Sequence, residues 1–401
     1  MESQMIRNRD IIVVGLQPWD IKIGSNCKNM AQELSQYNRV LYVNRALDRI
    51  SAIRSSDDEM VLTRKASLRG DTNDLKPVSA SLWTLDPRTV LESINWIPVP
   101  SIFDRINLVN NKRLAREINQ AAKRLGFNDA LLFIDNDFFR AQYLPELLEG
   151  VKETIYYIRD NLTSQPYFKK HGVRLEPLLM QKATMVAANS AYLAAYGAKY
   201  NKASFDIGQG CDFGWTKEEY PPFKDFKSPV IGYVGALIKS RLNISLLEQI
   251  ATQRPEWTLI LVGPEDEAFR NSSLHQLKNV HFMGARHGGE LPSWLSTFDV
   301  CINPQELNEM TIGNYPRKID EYLALGKPVV ATDTVAMQIF APYVYLCKTA
   351  DDYIINIDTA LQEGDNTELQ EARKAFAFSH TWEQCIALMG AYLEQTQNVE
   401  A

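Results

Sequence analysis

The sequence predicts an α/β protein made of two doubly wound domains. Short apolar runs alternate with helical patterns in two successive series along the 401 residues. The first series includes IIVVGL at 11–16 and ALLFID at 130–135, and the second begins with VIGYVG at 230–235. Runs that are apolar on both faces and separated by helices indicate buried strands of a parallel sheet. A chain of this length exceeds the usual size of one hydrophobic core, which agrees with two domains.

The strands of the N-terminal half follow one another in a regular order. They are rich in Val, Ile, Leu and aromatic residues and are predicted at 11–16, 40–44, 82–85, 130–135, 154–160 and 185–190. Between them, residues 105–125 place apolar side chains at helical spacing, and Gly126 follows as a helix C-cap. The predicted N-terminal domain comprises residues 1–205.

A linker is predicted at 206–229, where Pro221, Pro222 and several charges interrupt any periodicity. The second domain, 230–365, contains strands predicted at 230–235, 258–263, 280–284, 299–304 and 328–333. An amphipathic helical segment at 366–401 ends the chain. Because ligands of doubly wound sheets bind at the carboxyl ends of the strands, we expect the active site in a cleft between the two domains.

Charge is unevenly distributed between the two halves. Residues 1–205 carry a net charge of +6 and residues 206–401 a net charge of −12. A basic N-terminal half suggests an anionic partner, either acidic membrane head groups or a phosphate-bearing acceptor. The alternative is ordinary solvated surface. We expect no nucleic-acid partner.

Cysteine usage and hydropathy are those expected of a cytoplasmic protein. The five cysteines lack any C-x-x-C spacing, which argues against a disulfide framework or a zinc cluster. The N-terminus has no signal-peptide pattern, and no stretch approaches the 18 or more apolar residues of a membrane span. Any membrane contact is therefore expected to be peripheral, at the inner face.

The most informative segment is NPQELNEMTIGNYPRKIDEYLALGKPVVATD at 303–333. It predicts a strand end, a loop, a helix with Pro316 at its first position, and another buried strand. Arg317 and Lys318 then lie in the first helical turn, where cations are unfavourable unless an anion such as a diphosphate is bound. Glu321 can accept hydrogen bonds from ribose hydroxyl groups. The alternative is a surface ion pair between Lys318 and Glu321.

This segment resembles the donor-binding segment of the group 1 glycosyltransferases of the GT-B fold, which include bacterial enzymes of polysaccharide and teichuronic-acid-type assembly. The resemblance extends to VIGYVGAL at 230–237, WTLILVGP at 257–264 and the stretch at 279–304. It implies two Rossmann-like domains facing across a cleft, with the C-terminal helix crossing back to the N-terminal domain.

The resemblance also implies a set of donor-binding residues. Lys318 would contact the diphosphate and act in catalysis, and Glu321 would contact the ribose. Gly235 would allow close approach of the donor. The other residues implied to lie near the base or phosphates are Lys239, Arg241, Val262, Gly263, Arg286 and Arg317.

The sequence departs from the family pattern at one position. Many relatives have a Glu eight residues before the ribose-binding Glu, where it contacts the transferred sugar. Here that position is Gly313, and Glu306 and Glu309 lie nearby. Either could substitute, or both could be solvated loop charges, so the sugar is left open.

Two acidic sites follow predicted strands of the N-terminal half. Asp160, after TIYYIR, is the candidate for the base that deprotonates the acceptor hydroxyl, the alternative being a helix cap. Asp135 and Asp137 form a D-x-D, which binds metal in unrelated glycosyltransferases. Here acceptor binding or capping is favoured, and we predict no metal.

The first loop, QPWDIKIGSNCKN at 17–29, is a candidate acceptor or phosphate loop. Gly24 and Ser25 could let backbone amides approach a phosphate, or Trp19 and Asp20 could form a sugar-stacking surface. The loop lacks a G-x-G-x-x-G pattern, so no nicotinamide cofactor is proposed. Basic residues that could meet a lipid-diphosphate acceptor or an anionic membrane are Arg45, Arg49, Arg54, Arg64, Lys65 and Arg69.

Together these observations predict a metal-independent and cofactor-independent glycosyltransferase. It would move a sugar from a nucleoside-diphosphate-sugar donor to a saccharide or lipid-linked acceptor in cell-surface polysaccharide synthesis. The alternatives are a nucleotide-sugar epimerase, which needs no acceptor, and a non-catalytic nucleotide-sugar-binding scaffold.

Overall fold

Parallel strands dominate the protein, whose computed structural model describes residues 5–21, 24–54, 58–364 and 366–400. The chain divides into two units. The N-terminal unit comprises residues 1–210 together with 382–401, and the C-terminal unit comprises residues 211–381. The α/β class expected from the alternating apolar runs is confirmed.

The main sheet of the N-terminal unit has eight strands in the order β10-β9-β8-β7-β1-β2-β5-β4. All neighbours in it are parallel except β4 and β5. β3 and β6 form a separate parallel pair. The strands are β1 Asp10–Gly15, β2 Arg39–Val43, β3 Leu47–Asp48, β4 Leu75–Pro77, β5 Leu82–Leu85, β6 Val90–Leu91, β7 Ala130–Asp135, β8 Val151–Ile158, β9 Met185–Ala188 and β10 Ser204–Asp206.

The strand order of this sheet reverses between β1 and β7. Every residue of both strands is buried, as expected for central strands covered on both faces. A doubly wound sheet binds ligands beside such a switch point, outside the carboxyl ends of the strands. In the N-terminal unit that position is next to Gly15 and Asp135.

The helices of the N-terminal unit begin and end at recognisable residues. Pro100 opens the long helix, and Gly126 ends it in the left-handed conformation with φ 64°, which confirms the predicted C-cap. The helices are α1 Asn26–Leu34, α2 Arg49–Ile53, α3 Glu59–Arg69, α4 Pro100–Leu125, α5 Leu144–Leu147, α6 Pro166–Lys182 and α7 Ala191–Gly197.

The C-terminal unit has one six-stranded parallel sheet in the order β13-β12-β11-β14-β15-β16. Counted within this unit, the order is 3-2-1-4-5-6, which is that of dinucleotide-binding sheets. Its strands are β11 Val230–Val234, β12 Thr258–Val262, β13 Val280–Gly284, β14 Val300–Asn303, β15 Val329–Thr332 and β16 Tyr345–Cys347. Its helices are α8 Ile244–Gln253, α9 Glu267–Arg270, α10 Leu291–Thr297, α11 Lys318–Ala324, α12 Ala350–Leu361 and α13 Thr367–Phe378.

The segment predicted as a linker at 206–229 is divided between the units after residue 210. Residues 211–229 belong to the C-terminal unit because their side chains pack there. Phe223 and Phe226 lie with ring centroids 4.3 and 5.9 Å from Trp294, and the Phe223 amide donates to the hydroxyl group of Thr297 at 2.9 Å.

The predicted terminal segment, 366–401, also contains parts of both units. Helix α13 belongs to the C-terminal unit, and the last helix, α14 Trp382–Glu400, belongs to the N-terminal unit. The buried residues of α14 that complete an apolar cluster with α1 and β1 are Trp382, Cys385, Ile386, Met389 and Leu393. The expected return of the C-terminal helix to the N-terminal domain is confirmed.

Two further features bear on the sequence-based expectations. All five cysteines lie within the described residues, and each is buried and free of a disulfide. In the part of the chain that the structure describes, no helix combines the length and the apolar character that crossing a bilayer requires.

Candidate donor site in the C-terminal unit

Two loops meet at the switch point of the C-terminal sheet, where β11 lies beside β14. One follows β11 and the other follows β14. The amide of Asn243 donates to the carbonyl of Pro304, and the amide of Glu306 donates to the carbonyl of Arg241, both at 2.9 Å. The Asn308 side chain donates to the carbonyl of Ser240 at 2.8 Å. The loops therefore support each other at the position where ligands of this fold bind.

Lys318 opens helix α11 and points to the end of strand β11. Its ammonium group donates a hydrogen bond to the hydroxyl of Tyr233 and lies 4.0 Å from the centre of that ring. A cation over an aromatic face is held by the ring quadrupole as well as by the hydrogen bond. Lys318 is partly buried, so a charge is fixed at the carboxyl end of the first strand of the sheet.

Helix α11 is positioned by contacts from its buried face. The backbone amide of Val234 donates to the hydroxyl of Tyr322 at 3.1 Å. The fully buried Asp320 carboxylate lies 2.7 Å from Nδ1 of His380 and accepts from the thiol of Cys211 at 3.4 Å. These contacts join the helix to β11, to the first residue of the unit, Cys211, and to His380 near its last residue.

The start of the helix differs from the prediction. It begins at Lys318, so Arg317 is the capping residue and Pro316 precedes the helix instead of occupying its first position. The amide of Ile319 still bonds to the carbonyl of Pro316 at 2.8 Å, which shows how the turn tightens before the regular helix. The helix has only seven residues, so the predicted anion site depends on the charge of Lys318 and not on the helix dipole.

Gly235 and Gly263 are required by close packing at this point. A Cβ on Gly235, whose φ is +144°, would lie 2.8 Å from the Tyr233 hydroxyl and 2.9 Å from the Lys318 ammonium. A Cβ on Gly263, whose φ is +152°, would lie 1.9 Å from the carbonyl oxygen of Gly235. Gly235 therefore leaves room for the Lys318 side chain, and Gly263 lets the two strand ends pack closely. The sequence prediction gave a different reason for Gly235, which was close approach of the donor.

Glu321 pairs with Arg317 and not with Lys318. The Arg317 guanidinium donates to Oε1 of Glu321 at 3.2 and 3.3 Å from two of its nitrogens. The alternative of a Lys318–Glu321 ion pair is therefore wrong. Among the described residues none donates to Oε2 of Glu321, and the side chain is 28% exposed, so this oxygen is accessible to a hydroxyl group.

The remaining predicted donor residues lie at neighbouring strand ends. Val262 is buried at the end of β12, beside Gly263. Lys239 and Arg241 have exposed side chains in the loop after β11. Arg286 follows β13 and contacts Glu290 at 4.0 Å and the Trp294 ring at 5.7 Å. The structure brings Gly235, Val262, Gly263 and Lys318 together and leaves Lys239, Arg241 and Arg286 at the surface.

The loop at 304–317, which has Gly313 where many relatives have a Glu, is stabilised by internal hydrogen bonds. Gly313 is buried, while Glu306 is half-buried and Glu309 exposed. The hydroxyl of Thr311 donates to the carbonyl of Glu306, and its own carbonyl accepts from the Gln305 amide at 2.6 Å. Gly313 therefore lies buried within a hydrogen-bonded turn.

Asp160 of the N-terminal unit belongs to a chain of charges. The Arg159 guanidinium donates to Asp160 at 2.8 Å and to Asp135 at 2.9 Å. Burial raises the pKa of Asp135, and Arg159 opposes that rise. The helical turn that follows, Leu162–Ser164, has Asn161 and not Asp160 at its cap, so the capping alternative is wrong.

Asp137 has a different partner from Asp135. Its carboxylate lies 2.5 Å from the Arg140 guanidinium and accepts from the Arg140 amide at 3.0 Å. Across the residues that the structure describes, no cluster of three or more His, Cys, Asp and Glu side chains could hold a metal ion.

In the first loop, Ser25 caps helix α1 by accepting from the amide of Lys28 at 3.3 Å. Asp20 forms an ion pair with Arg64 at 2.8 Å. Trp19 packs edge-on against Tyr42 at 5.2 Å. Gly24 is exposed, and residues 22–23 of this loop lie outside the described part of the chain.

Sequence reasoning missed Tyr233 and Tyr322, which position Lys318 and its helix. The available signal was a tyrosine near the end of an otherwise aliphatic strand, VIGYV, two residues before a glycine. Nothing in the sequence pattern pairs Tyr322 with that strand end, because the two are 88 residues apart.

Comparison with known proteins finds a family match within the C-terminal unit. Residues 228–358, all within the C-terminal unit, match the family described as glycosyl transferases group 1. Over 245 residues the chain is 34% identical to TuaH of Bacillus subtilis, named as a teichuronic acid biosynthesis glycosyltransferase. That match covers 56% of this chain and 60% of TuaH, less than two thirds of the relative's length.

Solved structures resemble nearly the whole chain. Sucrose-phosphate synthase from Thermosynechococcus elongatus has a TM-score of 0.67 at 15% identity and covers 98% of this chain and 100% of its own. HepE from Anabaena, solved in complex with UDP, has a TM-score of 0.64 at 16% identity with the same coverage. The fold is that of the GT-B glycosyltransferases. In sequence, residues 228–358 are similar to the group 1 glycosyl transferases.

Proposed function

We propose that this protein transfers a sugar from a nucleoside-diphosphate-sugar to a hydroxyl group of a saccharide or lipid-linked acceptor. The observation that carries the proposal is the Lys318 ammonium fixed beside Tyr233, Gly235 and Gly263 at the switch point of a 3-2-1-4-5-6 sheet. A fixed cation at that position suits the leaving diphosphate, whose negative charge grows as the glycosidic bond breaks.

Glu321 complements Lys318 by binding the ribose. Its Oε1 atom is held by Arg317, which orients the carboxylate, and Oε2 accepts a ribose hydroxyl. In this division of roles Arg317 is a positioning residue and Glu321 a binding residue. The proposal needs neither a metal ion nor a cofactor, because Lys318 supplies the positive charge and the nucleotide-sugar is a co-substrate.

Asp160 is the proposed base for the acceptor hydroxyl. It follows β8 in the N-terminal unit and is 28% exposed, and Arg159 fixes one of its oxygens at 2.8 Å. Arg159, itself held by Asp135, fixes the orientation of this carboxylate, and orientation toward the substrate hydroxyl is the geometric requirement for a general base.

The relatives support a nucleotide-sugar donor and a glycan product. HepE is solved with UDP and also with UDP and glucose, and TuaH is named for teichuronic acid biosynthesis. By likeness we propose UDP as the first nucleotide to test and cell-surface polysaccharide synthesis as the setting. The reaction would take place in the cytoplasm, at the inner face of the membrane for a lipid-linked acceptor.

The decisive experiment is calorimetric binding of UDP, GDP, ADP and CDP without added metal. We expect one nucleotide to bind wild type and to bind Lys318→Met at least tenfold more weakly, because methionine keeps the apolar stem over Tyr233 and removes the charge. Lys278→Met is the matched control, since Lys278 is an exposed lysine of the same unit.

Thermal unfolding of each variant shows whether it is folded. If no nucleoside diphosphate binds the wild-type protein, the proposed transferase function fails. If one binds and both methionine variants bind it equally well, the assignment of Lys318 fails while the donor class stands.

A further inference from the structure

A cavity of about 800 Å³ lies in the N-terminal unit, and its lining includes none of the donor-site residues or Asp160. It opens at the carboxyl ends of β1, β2 and β7, and Leu16, Arg45 and Asp137 from the loops after these strands line it. This is the position at which a doubly wound sheet binds ligands. The cavity is large enough for a small ligand of ordinary size.

Two arginines face this cavity, and only one of them has an acidic partner. Arg140 contacts Asp137 at 2.5 Å and donates to the carbonyl of Gly15 at 2.9 Å, which fixes its guanidinium. Arg45 makes no hydrogen bond or salt bridge with any residue that the structure describes. Arg45 is exposed at the cavity mouth, and its pKa is lowered mainly by the positive charge of Arg140. Among the described residues, no acidic side chain therefore contacts the Arg45 guanidinium directly.

Acidic side chains also line the cavity, but their charge is engaged elsewhere. Asp48 accepts hydrogen bonds from the amide and the hydroxyl of Ser51 and from the hydroxyl of Ser93. Glu92 binds Arg49 and Arg113, whose hydrogen bonds lower its pKa to about 2. Neither neutralises Arg45 by direct contact.

Aromatic side chains also line the cavity, and several apolar side chains at its rim are exposed. Phe139 and Phe168 stack with ring centroids 6.0 Å apart, and Tyr167 packs at 5.1 Å from Phe168. Trp96 is 71% exposed although its indole nitrogen donates to the carbonyl of Ser93 at 2.8 Å. Ile50 and Tyr167 are 44% and 61% exposed. An anchored aromatic ring left in water is characteristic of a contact surface.

We propose that this cavity binds an amphiphilic phosphate ester, with the phosphate at Arg45 and Arg140 and the apolar chain against the rim formed by Ile50, Trp96 and Tyr167. Guanidinium groups bind phosphate oxygens through paired hydrogen bonds, which explains two arginines at one point. An apolar chain covers the exposed rim that a free sugar phosphate would leave in water. The identification of this ligand as the lipid-linked acceptor rests on the proposed transferase function.

The test is calorimetric binding of octyl phosphate below its micelle concentration, compared with octyl glucoside and glucose 1-phosphate. The first probe carries both features, the second lacks the charge and the third lacks the chain. We expect octyl phosphate to bind most tightly and its affinity to fall about tenfold in Arg45→Gln. Arg105→Gln, at an exposed arginine outside the cavity, should bind as wild type does. Trp96→Ser should weaken octyl phosphate and leave glucose 1-phosphate unchanged.

UDP binding is measured on the same samples and reports the donor site separately. Octyl phosphate binding that is equal in Arg45→Gln and Arg105→Gln overturns the assignment of the phosphate position. Equal affinity for glucose 1-phosphate and octyl phosphate overturns the role of the apolar rim. Failure of UDP to bind while octyl phosphate does so contradicts the donor proposal and leaves this cavity assignment in place.

Discussion

The ammonium group of Lys318 lies 4.0 Å from the centre of the Tyr233 ring and donates a hydrogen bond to the hydroxyl group of the same residue. The two residues are 85 positions apart, one at the start of α11 and the other near the end of β11. An ammonium has three protons, so this contact orients the group and leaves protons for a ligand.

Replacing Lys318 by methionine should lower kcat by roughly 10²–10³-fold, because a preorganised charge at the leaving group is lost. Tyr233→Phe should cost only a few-fold, since the ring continues to hold the cation without its hydroxyl. Steady-state rates with the donor identified by calorimetry measure both effects. Equal losses in the two variants would show that the tyrosine hydroxyl itself is needed.

Glu321→Gln should weaken UDP about tenfold and leave inorganic pyrophosphate unaffected, because the carboxylate contacts ribose and not phosphate. Lys318→Met should weaken both ligands. Competition calorimetry with the two ligands separates these patterns, and Glu219→Gln serves as an exposed control in the same unit. A parallel loss of pyrophosphate binding in Glu321→Gln would contradict the ribose assignment.

Gly263→Ala should destabilise the C-terminal unit by roughly 3 kcal/mol or more, because its Cβ would lie 1.9 Å from a backbone oxygen at a φ of +152°. Gly289→Ala is the matched control, since a Cβ there meets nothing within 4 Å. Denaturant unfolding followed by tryptophan fluorescence measures the difference. Similar midpoints for the two variants would show that the strand ends separate easily.

Asp160→Asn should reduce turnover about a hundredfold and leave UDP affinity within a factor of two, because a base for the acceptor takes no part in donor binding. The control is Asp71→Asn, at an exposed aspartate of the same unit that pairs with Arg69 at 2.8 Å. Rates that stay at the wild-type level would remove Asp160 from the mechanism and direct attention to other groups of the N-terminal unit.

Stability should fall as pH rises from about 4.5 to 7 because of Glu176. Burial raises its pKa to about 7, although Tyr156 and Tyr196 donate hydrogen bonds to it at 2.8 and 3.0 Å. The folded protein therefore keeps a proton that the unfolded chain loses, and the difference amounts to roughly 3 kcal/mol above pH 7.

Glu176→Gln should lack this decline, so its free energy of unfolding relative to wild type should rise by roughly 3 kcal/mol between pH 4.5 and pH 8. Chemical denaturation at several pH values measures the change. Glu149→Gln, at an exposed glutamate of the same unit, should follow wild type throughout. A Glu176→Gln curve parallel to wild type would show that Glu176 ionises normally in the folded protein.

The sequence predicted the two sheets because strands covered on both faces leave uninterrupted apolar runs, such as IIVVG in β1 and TLILV in β12. It did not predict where residues 211–229 pack, since the contact that holds them joins Phe223 to Trp294 across 71 positions. The periodicity of apolar residues reports only local secondary structure, so it cannot reveal a contact between residues this far apart in sequence.

The candidate donor residues were predictable only where they are close together in sequence. Lys318 and Glu321 share one short segment whose pattern resembles a known family. The partner of Lys318 is Tyr233, which lies 85 positions earlier in strand β11. The partner of Glu321 is Arg317, the residue that caps the helix. Spacing alone allowed either cation. The roles of Lys318 and Glu321 remain predictions that the binding experiments test.

Helix α14 also sets an order of events during synthesis on the ribosome. The C-terminal unit is continuous in the chain, and all its residues are made by position 381. The N-terminal unit is translated first, but the apolar cluster beneath β1 lacks Trp382, Ile386 and Met389 until the last twenty residues emerge. The part of the protein that is made first is therefore completed last, and a chain released early at residue 381 exposes an unfinished core to chaperones and proteases.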